Sequence, residues 1–171
     1  MKRIVLFLIC MLVFFSFSVE AGFESWKQGI DEVVMEVDQI YGIRMKMAAN
    51  EHEGIEKEDL WAKIVVESNG NSKAVSETNV KGLTMLTLNV VDLIRAETGI
   101  SIDRNHPFEA MWGAGWYLAH LMNRYEFAID EAHAAYYLGP QGLKNELKHK
   151  NLDDIYHLKK VNYIKEIIEN L

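Results

Sequence analysis

The chain has 171 residues, 49 % of them hydrophobic and 25 % charged, and a formal net charge of -7. That length holds one domain with a sizeable core, and the composition excludes a disordered chain. The acidic balance argues against nucleic acid, whose binders carry basic surfaces, and against tight adhesion to anionic lipid.

Lys2 and Arg3 precede an uncharged apolar run from Ile4 to Phe17, and Val19-Glu20-Ala21 places small residues ahead of Gly22. This pattern predicts a secretory signal over residues 1–21, cut after Ala21, and an exported protein of the periplasm or cell envelope. The run is short for a membrane-spanning helix. Cys10 lies inside it and is the one cysteine of the chain, so the mature protein has no disulfide, thiolate nucleophile or cysteine metal ligand.

From Phe23 to about Gly42, Trp26, Ile30, Val33, Val34, Val37, Ile40 and Tyr41 recur at helical spacing. Met45 and Met47 suit a core, and Asn50-Glu51-His52-Glu53-Gly54 reads as a loop. Residues 22–56 are therefore taken as an N-terminal helical segment, and 57–171 as the main domain. A helix is predicted from Glu56 to Ser68. Leu60, Ile64 and Glu67 share one face of it, at i, i+4 and i+7, among apolar neighbours. Desolvation there raises a carboxyl pKa, which suits a general acid. Taken alone, the stretch reads first as a Glu marking the solvent edge of an apolar helix. Asn69-Gly70-Asn71-Ser72 ends the helix.

The small polar residues from Asn69 to Lys81 predict an ordered loop or a short hairpin. A helix follows from about Leu88 to Glu97, with Val90, Val91 and Ile94 inward, ended by Gly99. Pro107 opens another that runs to about Tyr125. Gly113 and Gly115 lie inside it and cost about 1 kcal/mol each relative to alanine, so a close approach by another helix is expected. Trp112 and Trp116, one turn apart, read as core packing ahead of sugar stacking. Further helices are predicted over about Ala128 to Tyr137, Gln141 to Lys148 and Leu152 to Leu171. The class is all-α, a single domain with at most a small β-hairpin.

His52, His106, His120, His133, His149 and His157 make no close metal spacing and read as scattered polar or core residues. Ser68 beside Glu67 is no triad, since no histidine is in local reach.

Several short segments in fixed order carry a resemblance. Glu67-Ser68 closes an apolar helix, Gly82-Leu83-Thr84-Met85-Leu86 follows, and Tyr117-Leu118 comes late in the helix after Pro107. Ala135-Tyr136-Tyr137-Leu138-Gly139-Pro140 and Asn162-Tyr163-Ile164 complete the set. Together, from about Leu60 to the C-terminus, they resemble the soluble-lytic-transglycosylase (SLT) domain of bacterial cell-wall enzymes. The resemblance implies a lysozyme-like α fold that cuts peptidoglycan between N-acetylmuramic acid and N-acetylglucosamine. It implies a catalytic Glu67, with Tyr136 touching substrate or orienting Glu67, and with Ser68, Met85, Tyr137 and Tyr117 at the sugar groove. No metal or cofactor is required. The implied partners are peptidoglycan glycan strands and an envelope or secretion machinery, with the chain as a monomer. The sequence departs from the family at Met85, where Gln is usual, and at Tyr137, where Asn is usual. A goose-type hydrolytic lysozyme is the nearest rival. It would need an aspartate facing Glu67, and the loop from Asn69 to Lys81 holds Glu77 and no aspartate. A cell-wall-binding protein that kept the fold and lost turnover is the third reading.

Overall fold

A computed structural model describes residues 20–171. The predicted signal lies outside them except for Glu20 and Ala21. Residues 33–171 form one compact unit, and residues 20–32 belong to a second. In the latter, residues 20–27 are helical and Phe23 stacks on Trp26.

Seven helices carry the fold: α1 (Ile30–Asn50), α2 (Lys57–Ser68), α3 (Leu88–Thr98), α4 (Pro107–Tyr125), α5 (Ile129–Leu138), α6 (Pro140–Glu146) and α7 (Tyr156–Glu169). A 3-10 turn, Leu152–Asp154, leads into α7. Among the described residues no helix is long and apolar enough to cross a membrane. Of the two readings of Asn69 to Lys81, an ordered loop or a short hairpin, the structure has the loop, held by the isolated bridges Val75 to Lys81 and Lys81 to Leu86. The first predicted helix runs on about two turns past its expected end near Gly42, to Asn50 at the start of the expected loop, and its register buries Met45 but leaves Met47 54 % exposed.

Helix α2 is the central element and packs chiefly on α7, with α4 on another side. Leu60, Ala62, Ile64 and Val65 have no exposure, and each fully buried Leu, Ile or Val side chain contributes about 1.5–3 kcal/mol. Trp61 is buried as well, and its indole N–H donates to the Val34 carbonyl at 3.0 Å. Asp59, at the third helical position, accepts from the Glu56 backbone N–H at 2.9 Å, so the first turn is capped from within. The helix stops where Asn69 takes the left-handed conformation and the Gly70 N–H reaches back to the Ile64 carbonyl.

α4 passes close to its neighbours at its glycines, though loop residues contribute more than a helix does. A Cβ on Gly113 would stand 2.5 Å from Ile102 Cδ1 and 2.9 Å from Leu86 Cδ1; one on Gly115 would stand 2.6 Å from His52 Cδ2. The segment between α2 and α3 is fixed by Arg104, which donates to the carbonyls of Asn79 at 3.0 Å and Leu86 at 2.9 Å. Gly82, at φ +85°, is the point of contact: a Cβ there would lie 1.8 Å from the Arg104 carbonyl oxygen.

Because that obstacle is backbone, Gly82→Ala has no side chain to push aside. It is expected to destabilise the domain by about 2–4 kcal/mol, combining left-handed strain with overpacking. Gly99→Ala, at φ +74° with open space around its Cβ position, should cost only the strain, about 1 kcal/mol. Urea denaturation of both variants checks the difference; equal losses would contradict the contact.

Candidate active site

The last turn of α2 brings Glu67 to a junction between two cavities. One, of about 390 Å³, lies toward α7 and is lined by Val66, Tyr137, Glu146, Tyr156, His157 and Lys160 among others. The other, of about 260 Å³, lies toward the loop and is lined by Ser76, Thr78, Val80, Met85, Thr87, Tyr136 and Tyr137. Glu67 and Tyr137 border both. The two cavities are taken together as a furrow with the carboxylate between them.

The surroundings of Glu67 differ from the apolar stripe expected. Asp59, Lys63 and Glu67 follow one another at four-residue spacing and form a charged line along the buried face of α2. Lys63 has no exposed side-chain surface, and Glu67 keeps 12 %. Lys63 Nζ donates to Glu67 Oε1 at 3.3 Å and to the His133 carbonyl at 3.3 Å, and lies 3.0 Å from His157 Nε2. His157 Nε2 is in turn 3.3 Å from the same Glu67 oxygen, which closes a triangle. Nζ also stands 4.2 Å from the ring centre of Tyr136, a cation–π contact.

Burial alone pushes the Glu67 carboxyl pKa up; the Lys63 ammonium pulls it down most, and His157 adds to that whenever its Nε2 carries a proton toward Oε1 instead of accepting from Nζ. The net position is below the usual carboxylate range, so Glu67 rests ionised. This corrects the expectation of a carboxyl held neutral by apolar neighbours. Burial lowers Lys63, against the raising pull of Glu67, and burial together with the lysine's charge lowers His157.

A second cluster, of three residues, lies one turn back from Lys63 along α2. His133 and Lys165 both meet Asp59 Oδ1, at 3.0 and 2.6 Å. Burial drives His133 down to about 4, and His133 and Lys165 hold Asp59 at about 2 against its own desolvation. His133 Nδ1 is buried without a hydrogen-bond partner, as a neutral ring protonated on Nε2 requires here.

The other expected site residues divide. Met85, in the left-handed conformation at φ +50°, and Tyr136 and Tyr137 line the loop-side cavity beside Glu67. Tyr136 makes no hydrogen bond to Glu67. Its hydroxyl donates to the Thr84 carbonyl at 2.8 Å, and its ring meets Lys63, so it bears on the acid through the lysine. Tyr137 is 63 % exposed and stacks flat on His157, with centroids 4.6 Å apart. Ser68 lines neither cavity; its hydroxyl lies 2.7 Å from the Leu83 carbonyl and 3.1 Å from that of Ile64 and ties α2 to the loop. Tyr117 is buried behind Tyr136, with ring centroids 5.4 Å apart, and likewise lines neither. The sequence reading missed Lys63 and His157. The four-residue step from Lys63 to Glu67 was available as a signal. His157, 90 positions away, was not.

Residues 44–159 match the family model of the transglycosylase SLT domain. The chain belongs to the transglycosylase SLT family. Its fold is the mostly helical, lysozyme-like one of that family, and its function is of the peptidoglycan-acting, lytic-transglycosylase type. No curated protein matches the chain in sequence. The matched span of this SLT domain includes all of α2 through α6 and the Glu67 junction.

The buried histidines set an acid limit to the fold. Between pH 6.5 and about 4 an unfolded chain protonates the position of His133 and the folded one does not, so stability falls as pH falls. At about 1.4 kcal/mol per pKa unit, His133 alone removes roughly 3 kcal/mol over that window. Asp59 adds its own loss lower, as pH drops from 3.8 through about 2. Denaturation at several pH values should show this slope, and His133→Gln should reduce it by about one proton. An unchanged slope in His133→Gln would contradict the assignment.

Proposed function

We propose that this SLT domain is a lytic transglycosylase that cuts the β-1,4 bond between N-acetylmuramic acid and N-acetylglucosamine and leaves a 1,6-anhydro-muramoyl end. Glu67 is the general acid and then the general base. The observation that carries the reading is the position of Glu67, mostly buried and bordering both cavities of the furrow.

Glycosidases that act through two carboxyl groups hold them about 5–10 Å apart across the sugar. The loop-side cavity has no carboxylate other than Glu67, which suits a one-carboxylate route. A glycan laid in the furrow covers the last exposed edge of Glu67, removes its water and favours the protonated form. The acid gives its proton to the glycosidic oxygen as the bond to the muramic anomeric carbon breaks. The muramic acetamido group assists at that carbon. The Glu67 carboxylate then takes the proton of the sugar's own 6-hydroxyl, whose oxygen closes on the anomeric carbon. Water is not consumed. Stacking of a sugar ring on Tyr137 is part of this reading, supported by its flat ring, exposed at the border of both cavities. The reading carries with it residues 1–21 as a secretory signal and action on the cell wall outside the cytoplasm.

One observation favours hydrolysis of the goose-lysozyme kind: Glu146 lines the α7-side cavity and supplies a second carboxylate. It is engaged with Lys150 at 2.8 Å.

Incubating the mature protein with peptidoglycan and identifying products by mass spectrometry tests the proposal. The wild type should release anhydro-muropeptides, and Glu67→Gln should lose at least about 100-fold in rate. Reducing ends in place of anhydro ends would show hydrolysis. No product, with the polymer still captured, would show a binding protein.

A further inference from the structure

The Lys63 ammonium has three N–H bonds and, in its sealed position, three acceptors: Glu67 Oε1, the His133 carbonyl and His157 Nε2. Shifting one proton from Nζ to Oε1 leaves that set complete. The amine keeps two N–H bonds, for His133 and His157, and its lone pair accepts from the new carboxylic O–H. No buried polar group loses its partner in either form, so nothing of that kind opposes the transfer. The Asp59 charge and the Tyr136 ring favour the ions, as does water, which meets the pair only at the exposed edge of Glu67. That edge is the one a bound glycan covers.

We propose, resting on the reading of Glu67 given above, that Lys63 is the proton store of the catalytic acid. On glycan binding an Nζ–H bond breaks and an Oε1–H bond forms, giving a neutral amine and a carboxylic acid with the net charge unchanged. Glu67 passes that proton to the leaving oxygen and regains one from the 6-hydroxyl. When product departs and water returns, the proton goes back to Nζ. No proton is exchanged with solvent in the cycle. Lys63 does not touch the sugar and is a positioning residue, acting through Glu67.

The charged and titratable groups facing the pair come from five helices and the turn after α6, where Glu146 of α6 and Lys150 pair with each other at the cavity wall. Asp59 shares α2 and is already paired with Lys165 of α7 and His133 of α5. Tyr136 of α5, with Tyr117 of α4 behind it, is kept a neutral phenol by burial. Lys160 of α7 lines the cavity and faces the charge of Glu67. His157 of α7 holds the third corner, neutral and accepting through Nε2. A ring protonated on both nitrogens would turn that acceptor into a donor toward Glu67 and take an acceptor from Nζ.

The test is the pH profile of kcat for anhydro-product release by wild type and Lys63→Met, with thermal melting to show that both are folded. If Lys63 stores the proton, the alkaline limb of the wild-type profile follows the deprotonation of the lysine. In Lys63→Met the acid must draw its proton from water, and the alkaline limb moves down. If Lys63 merely holds Glu67 ionised, removing it lets burial raise the carboxyl and the limb moves up. An upward or absent shift therefore overturns the proposal, as does a wild-type limb already in the carboxylate range. Should Lys63→Met not fold, Lys63→Arg keeps the charge on a group that does not deprotonate. The proposal expects its kcat to collapse at every pH, and a retained kcat overturns it. Proton uptake on binding chitotetraose, measured by calorimetry in two buffers with the wild type, gives a readout without turnover. Uptake near zero is expected, and uptake of one proton per glycan overturns the store. Absence of anhydro product at every pH would instead overturn the reading of Glu67 on which it rests.

Discussion

A lysine side chain with no solvent contact organises this domain. An uncompensated ammonium in a protein interior is unstable by several kcal/mol, so Lys63 has to be met on every side. Glu67 meets it from one turn along α2, the His133 carbonyl and the Tyr136 ring from α5, and His157 from α7. Those contacts dictate how the three helices register against each other. Withdrawing the Glu67 carboxylate strands a buried charge, at a cost of roughly 3–5 kcal/mol. Glu67 therefore holds two roles, as a support of the helix packing and as the reactive group of the furrow. Its substitution is expected to disturb more than chemistry.

The furrow owes its second wall to backbone more than to side chains. Ser68 and Tyr136 both end on carbonyls of the loop, at Leu83 and Thr84, and Thr84 Oγ1 donates on to the Ala110 carbonyl in α4. Arg104 clamps the same loop from the far side, where only a glycine fits at position 82. Met85 is thereby held in a left-handed conformation beside the carboxylate. Where the Gln amide is usual in the family that this chain resembles, it presents a thioether of similar reach, and where the Asn amide is usual it presents the exposed ring of Tyr137. The lining exchanges hydrogen-bonding capacity for apolar and stacking surface.

Helices were legible in the sequence because their signals are local. Pro107 and His106 open α4 where expected, Gly99 closes α3 in the left-handed conformation, and the apolar period of α2 is written in its residues. The ordered motifs also pointed to Glu67 and to the family. The failures concern long-range partners. Nothing within Asn69 to Lys81 chooses between loop and hairpin, since Arg104 and the crowding at Gly82 decide it from outside the segment. His157 looked like one scattered histidine among six until the packing of α7 on α2 set it 3.3 Å from the acid. Lys63 was legible in principle, one turn from Glu67, but a lysine on a helix is ordinarily read as solvated. Its burial followed from Leu60 and Ile64 drawing that side of α2 into the core.

The account turns on the charge of Glu67 in the empty cleft. Carbon-13 NMR of glutamate-labelled protein, following the Glu67 carboxyl carbon with pH and assigned by its loss in Glu67→Gln, measures that charge directly. The account predicts a carboxylate that stays ionised below the usual range for glutamate, with a midpoint that rises once Lys63 is replaced by methionine. A midpoint above that range in the wild type, near neutrality, would show that apolar burial rules the site and that the Lys63 contact does not.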